Sequence, residues 1–335
     1  MNRFTLQWHI TNKCYNRCKH CYINQFGHKE VPLASVDDIL FDFSNCCKTL
    51  NARPIVAITG GDPLLHSNFM DIIAKARTCS NWLGVLGNPE CIDSKVAKEL
   101  KEAGINQFQL SIDGMNDTHD SIRSPGSFQR TVNAVHELKK ANIPVSIMST
   151  VSSVNHTEMV DVMNLAYELK VNKWAFARWT PNAGDCGLSP EDYRDFLLNI
   201  MGNHKKFDAL GIKLPAKDPL LGTLQTKPIQ ASKIIGGCGL GTSKLTLLHD
   251  NTIMACRRHA GSTLGTWEEN GDFIKNFLYH PLMQQFRKIN DIQGCNKCDY
   301  LYQCRGCRAS AYSMTGNSFA RDPQCFIDTV AVKMP

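Results

Sequence analysis

Between residues 4 and 180, short apolar runs alternate with stretches of helical periodicity, and that alternation limits the chain to few architectures. Candidate strands fall at 4–10, 54–59, 82–86, 106–113, 145–151 and 173–178. Helices are expected near 35–50, 68–79, 93–103, 127–141 and 156–170, with another near 189–202 after the last strand. Repeated strand–helix units wind a parallel sheet, so the expectation is an α/β fold, a partial (β/α)6 TIM-like barrel. Two strands carry a polar face. Phe4, Leu6, Trp8 and Ile10 alternate with Thr5, Gln7 and His9, and Phe108, Leu110 and Ile112 alternate with Gln107, Gln109, Ser111 and Asp113. If helices cover the apolar face, the polar face must line a barrel mouth that holds a polar ligand. An antiparallel strand with one side in solvent is the alternative.

Sites in parallel α/β folds gather at the carboxyl ends of the strands. The first strand runs into Cys14-Tyr15-Asn16-Arg17-Cys18-Lys19-His20-Cys21, three thiols at C-x3-C-x2-C spacing. Three thiols this close can bind three corners of a four-iron, four-sulfur cluster, whose closed form takes four. The fourth iron is then open to a small molecule that takes an electron directly. A zinc site or a loop of unpaired thiols is the other reading of the spacing. The second strand ends in Thr59-Gly60-Gly61-Asp62-Pro63, where glycines let the backbone approach a ligand closely. The fourth ends in Ser111-Ile112-Asp113-Gly114, followed by His119 to Arg123 and by Gly126-Ser127-Phe128.

The chain's 335 residues suffice for a sizeable core, and 15 cysteines, an odd total, suit metal ligation or catalysis better than a paired disulfide framework. No leader and no bilayer-length apolar run is visible, so a cytoplasmic protein with no membrane partner is expected. The formal net charge of +6 is scattered, without a basic stripe or recognition motif, and gives no expectation of nucleic-acid binding.

Cys14, Cys18 and Cys21, with a ring at His20, resemble the signature of radical S-adenosylmethionine (SAM) enzymes. The resemblance implies that SAM chelates the open iron and is cleaved reductively to methionine and a 5'-deoxyadenosyl radical, which abstracts hydrogen from the substrate. It also implies an electron supply from a flavodoxin or ferredoxin-type reductant. Gly60, Gly61 and Asp62 resemble the family's Gly-Gly-Glu-Pro stretch, which binds the SAM amino group; Asp62 is shorter than the usual Glu by one methylene. Ser111, Asp113 and Arg123 fall in segments like the Ser-x-Asp-Gly and Ile-Arg elements of members with a SPASM extension. Arg123 can meet the SAM carboxylate with two bonds, and Ser111 and Ser149 are candidates for polar contacts to SAM. Asn88 and Arg178, each beyond a strand end, are further candidates.

Beyond residue 236 the cysteines return as Cys238, Cys256, Cys295, Cys298, Cys304, Cys307 and Cys325. This set resembles the SPASM extension, which holds two auxiliary iron–sulfur clusters. The resemblance assigns Cys295, Cys298, Cys304 and Cys325 to one cluster, and Cys238, Cys256 and Cys307 to the other with its fourth corner unassigned. Asn251 stands where a glycine is usual, and Asn tolerates positive φ best among the alternatives. The organisation expected is a radical SAM partial barrel over 1–185, a linker and bridging helix over 186–235, and a SPASM domain over 236–335. Cys186, in a loop after the last barrel strand, is a candidate hydrogen-atom donor. Cys46, Cys47, Cys79 and Cys91 read as buried apolar residues.

The function implied is maturation of a ribosomally made peptide, giving a thioether, a carbon–carbon crosslink or an inverted α-carbon. Since Cys14 lies near the start, leader recognition would fall to the barrel, the extension or a separate protein. Three alternatives stand beside it. One is a sulfatase-type formylglycine maturase, in which an aspartate usually occupies the place of Arg257. Another is a dehydrogenase acting on a small molecule or tetrapyrrole. The last is a zinc-binding module without catalysis.

Overall fold

Strand β1 (Asn2–His9) sits inside the sheet and organises everything around it. The computed structural model describes residues 2–23, 26–180, 187–208, 218–229, 231, 233–268 and 271–327. The barrel strands are β1, β2 (Ala52–Thr59), β3 (Trp82–Leu86), β4 (Gln107–Ser111), β5 (Val145–Val151) and β6 (Lys173–Arg178), all parallel and in chain order. Between them run α1 (Val36–Thr49), α2 (Phe69–Cys79), α3 (Ser94–Glu102), α4 (Asn116–Ile122), α5 (Ser127–Lys140) and α6 (Met159–Glu168). The partial (β/α)6 barrel is therefore present, with α4 as an addition.

Side-chain direction follows the period of two along each strand. Phe4, Leu6 and Trp8 are buried against the helices, together with Phe43 of α1 and Ile72 of α2. Thr5 and Gln7 turn to the interior cavity, as do Gln107, Gln109 and Ser111 of β4. His9 departs from the expected polar lining. It is buried, its ring meets Tyr22 edge-on at 5.8 Å, and burial together with Arg257 and His249 brings its pKa down to about 3.

The chain continues through α7 (Pro190–Asp208) and α8 (Pro219–Gln225) to three short strands, β7 (Lys244–Leu247), β8 (Thr252–Met254) and β9 (Thr263–Thr266). These extend the barrel sheet, with β7 parallel to β1 and β8 and β9 antiparallel beyond it, giving the order β6-β5-β4-β3-β2-β1-β7-β8-β9. The two halves thus share one sheet. Helices α9 (Asp272–Tyr279), α10 (Pro281–Arg287) and α11 (Arg308–Thr315) complete the C-terminal part. Buried Asp42 of α1 ties it down, accepting hydrogen bonds from Trp267 Nε1 at 2.9 Å and Gly271 N at 2.7 Å. Arg178 does so at the other side, with Asp218 at 2.7 Å and Asp322 at 2.8 Å, all three nearly solvent-free. Asn251 has φ of 65°, the left-handed conformation expected of a residue in a glycine's place. Among the described residues no helix is long and apolar enough to cross a membrane.

Candidate active site

The loop 14–21 is held by the segments that follow β2, β3 and β4. Gly61 N donates to Thr11 O at 2.8 Å and Asp62 N to Lys13 O at 2.7 Å, so the Gly-Gly segment runs hard against the loop's backbone. A Cβ on Gly60 would lie 2.6 Å from the Thr11 carbonyl, and one on Gly61 would overlap the Lys13 carbonyl. The glycines are thus required by the approach of two backbones. From the third strand, Asn88 Nδ2 donates to Cys14 Sγ at 3.3 Å and Glu90 accepts from Asn16 at 3.2 Å. From the fourth, Ile122 O accepts from Lys19 N at 2.9 Å and Ser124 Oγ donates to Asn16 Oδ1 at 2.9 Å.

The segments after β4 form one scaffold beneath Arg123. His119 Nδ1 accepts from Asp113 N at 3.1 Å and its Nε2 meets Ser127 Oγ at 3.1 Å. Burial, aided by Arg123, holds the His119 pKa near 4, so the ring is neutral at pH 7. Asp120 accepts from Gly126 N and Phe128 N, closing the start of α5. Asp113, fully buried, accepts from Arg123 Nε at 2.5 Å and from Thr150 N at 2.6 Å. Burial opposes its charge, but Arg123 and His20 outweigh that and hold its pKa below the usual carboxylate range. Asp113 accordingly orients Arg123 rather than facing the cavity. Arg123 is left with Nη1 3.8 Å from Cys18 Sγ and Nη2 3.5 Å from His20 Nε2.

Cys14, Cys18, Cys21, His20, Gly60, Gly61, Asn88, Ser111 and Arg123 line one cavity of about 910 Å3. Asp62 does not; it is buried, its Oδ1 accepts from Leu64 N at 3.3 Å and Asn88 N at 3.4 Å, and burial pushes its pKa up to about 7. Ser149 is a correction to the sequence reading. Its hydroxyl donates to Ile112 O at 2.6 Å and accepts from Trp174 Nε1 at 3.1 Å within the core, and it does not line the cavity. Arg178 reaches the lining but is consumed by Asp218 and Asp322. Cys186 lies outside the described residues.

Burial raises the thiol pKa at Cys14 to about 12, and upward at Cys18 and Cys21, so these groups become thiolates only where bound iron supplies positive charge. Amide N–H groups already point at two of the sulfurs, from Asn88 to Cys14 and, at 3.4 Å, from Ile23 to Cys21. Such bonds stabilise cluster thiolates. Among the described residues no three His, Cys, Asp or Glu side chains converge as the ligands of one ion would. The donor set fits an iron–sulfur cluster. In the C-terminal part, Cys295, Cys298, Cys304 and Cys325 line one small cavity, and Cys256 lines the large one facing the loop.

The Radical SAM superfamily matches residues 8–166. That stretch of the chain is a radical SAM domain. The family implies SAM and a four-iron, four-sulfur cluster as its cofactors. The chain is 24% identical over 353 aligned residues to the AdoMet-dependent heme synthase of Nitratidesulfovibrio vulgaris, covering 96% of this chain and 91% of that one. In fold it resembles anSMEcpe with bound AdoMet, with TM-score 0.76, 20% identity, and coverage of 96% and 93%. It likewise resembles SuiB of Streptococcus suis bound to S-adenosylmethionine, with TM-score 0.78, 15% identity, and coverage of 97% and 77%. Both neighbours also have structures with peptides, Cp18Cys on anSMEcpe and the precursor SuiA on SuiB.

The cavity also exposes residues that the sequence reading passed over. Arg3, Arg53 and Lys173 stand at the starts of their strands, whereas the reading looked only at strand ends.

Proposed function

We propose that this radical SAM enzyme is a peptide maturase of the SPASM type. In this reading a catalytic cluster sits on Cys14, Cys18 and Cys21, one auxiliary cluster on Cys295, Cys298, Cys304 and Cys325, and a second on Cys238, Cys256 and Cys307. The observation that carries it is the single cavity joining the three-thiol loop to Cys256. A substrate held there has a radical source on one side and an electron acceptor on the other. The bound SAM and cluster would supply a 5'-deoxyadenosyl radical that takes one hydrogen atom. A cluster held by the C-terminal cysteines would supply an acceptor for the electron that an oxidative crosslink leaves behind.

The chain's own residues have separable tasks. Arg123 presents its two terminal nitrogens beside Cys18 and His20, where a carboxylate can be gripped, and Asp113 fixes the guanidinium plane. Gly60 and Gly61 keep the wall thin enough for a ligand to lie against the loop. Ser111 adds a hydroxyl to the lining. Cys186 is the proposed hydrogen donor if the outcome is epimerisation. The neighbours' peptide complexes support a peptide substrate.

A tetrapyrrole substrate is the second reading, favoured by the heme synthase relative that aligns along 96% of the chain. The test is turnover by reconstituted enzyme with SAM and dithionite. Its substrates are peptides translated from any short reading frame beside the gene and, separately, Fe-coproporphyrin III. A peptide that loses two hydrogens or gains solvent deuterium, with 5'-deoxyadenosine formed in step, supports maturation. Conversion of the porphyrin alone refutes it in favour of the second reading.

A further inference from the structure

Beside the small cavity of Cys295, Cys298, Cys304 and Cys325 lie buried arginines whose N–H groups are short of acceptors. Arg308 opens α11 directly after Cys307 and is 3% exposed. Its Nη1 donates to Ser318 O at 3.0 Å and Ala320 O at 2.6 Å, but its Nε and Nη2 have no hydrogen-bond partner among the described residues. Arg305, 4% exposed and itself in the lining, repeats the pattern. Its Nη2 donates to Gly236 O at 2.7 Å and Cys238 O at 2.5 Å, and its Nε has no partner among the described residues. A buried donor without an acceptor is costly, most of all on a charged group. Asp322, the carboxylate of the lining, does not answer them, because it holds Arg178 and Cys307 N. The sulfurs are the acceptors at hand. A Cβ on Gly306 of the lining would come 2.7 Å from Arg308 Nη2, and Arg308 is the charge that most opposes the effect of burial on the Cys295 thiol. Arg305 interacts in the same sense with Cys238 and Cys304. Arg321 Nη2 already donates to Cys325 Sγ at 3.5 Å, and Gly306 N to Cys304 Sγ at 3.3 Å. Lys244, Arg257 and Arg258, cations of the large cavity, act on Cys256 instead.

We infer that Arg308, with Arg305 and Arg321, supplies hydrogen-bond donors to the sulfurs of a cluster on Cys295, Cys298, Cys304 and Cys325 and thereby raises its reduction potential. Hydrogen bonds and positive charge at cluster sulfurs favour the reduced form, which carries one more negative charge. Leu220 and Leu301, both buried in the lining, limit screening of that charge by water. A raised potential suits this cluster to accept the electron that an oxidative crosslink leaves behind. None of the three arginines lines the large cavity, so their effect on the reaction runs through the cluster and not through the substrate. The inference rests on the proposed function only in assigning a cluster to these four cysteines.

A redox titration followed by electron paramagnetic resonance measures the effect. It uses the whole chain, reconstituted, with Cys14, Cys18 and Cys21 replaced by Ala so that only auxiliary clusters give signals, and iron and sulfide are determined on every sample. Arg308→Met should lower one midpoint potential by at least a tenfold change in the one-electron equilibrium, about 59 mV, and leave the other nearly unmoved. Arg308→Lys, which keeps the charge but not the planar fork, should lower it by less. Arg321→Met, at a partly exposed site, should also lower that midpoint, and it carries the test if the Arg308 variants do not load iron. Lys297→Met removes an exposed charge between Cys295 and Cys298 and should shift the midpoint little, because water and salt screen it. An unmoved midpoint in the iron-loaded variants, or a shift no larger than that of Lys297→Met, overturns the inference and leaves the cluster assignment standing. A triple Ala protein that holds no iron overturns the assignment and the inference with it.

Discussion

Replacing Asp62 by Asn should change the pH dependence of stability in a direction set by its burial. The carboxyl group is 1% exposed, and its Oδ2 has no partner among the described residues. Burial is the main reason its pKa rises from 3.8 to about 7, with Glu90 adding to it and hydrogen bonds from Asn88 N and Leu64 N opposing. Between those two values the folded state holds a proton that the unfolded state has released. Stability therefore falls as pH rises from about 4 to about 7 and levels off above. The whole effect is about 4 kcal/mol, of which about 2 to 3 kcal/mol lies between pH 5 and pH 8. Asn keeps the acceptor for Leu64 and Asn88 but leaves an amide N–H unpaired, at a pH-independent cost of about 1 to 3 kcal/mol. Urea unfolding of cluster-free, reduced wild type and Asp62→Asn at pH 5, 6, 7 and 8 measures the difference. The variant should be the weaker protein at pH 5, and its disadvantage should shrink or reverse by pH 8. A difference that does not vary with pH would refute the reasoning, because titration of other groups cancels in the comparison.

Four further outcomes follow from the geometry. Asn251→Gly should stabilise by about 1 kcal/mol and Asn251→Ala should destabilise by a similar amount in thermal unfolding, since φ is 65° and the buried Asn251 Oδ1 has no partner. Arg123→Lys should weaken SAM binding about tenfold or more by calorimetry, because a point charge replaces a fork that Asp113 holds in plane. Gly61→Ala should cut the iron retained after reconstitution, as its methyl would displace the Lys13 carbonyl behind Cys14. Cys186→Ala with unchanged product would remove that thiol as hydrogen donor.

The barrel strands were legible because each alternates cleanly or is bounded by glycine, proline or asparagine, and β3, β5 and β6 begin and end where periodicity put them. Helix α4 was not, since Asn-Asp-Thr-His-Asp-Ser-Ile carries no apolar stripe. It is held instead by Glu158, which accepts from Met115 N at 2.6 Å and Thr118 Oγ1 at 2.5 Å. Strands β7 to β9 are three or four residues long, too short for a period to show, and depend on β1 for their pairing. The thiol loop and Arg123 stood out by spacing and residue type. The misplacement of Ser149 was avoidable, because it shares the face of Val145, Ile147 and Val151, all buried, while Met148 and Thr150 line the cavity. Arg3 and Arg53 are fifty residues apart in sequence, and only the register of β1 with β2 makes them neighbours.

The central claim is that SAM is cleaved at Cys14, Cys18 and Cys21. The measurement that tests it most directly is 5'-deoxyadenosine formed from SAM and dithionite by anaerobically reconstituted wild type and by the triple Ala variant at those positions, with iron and sulfide determined on both. Wild type should hold about twelve irons and form deoxyadenosine, and the variant should hold about eight and form none. Equal deoxyadenosine from the two proteins, or zinc in place of iron in wild type, would contradict the account.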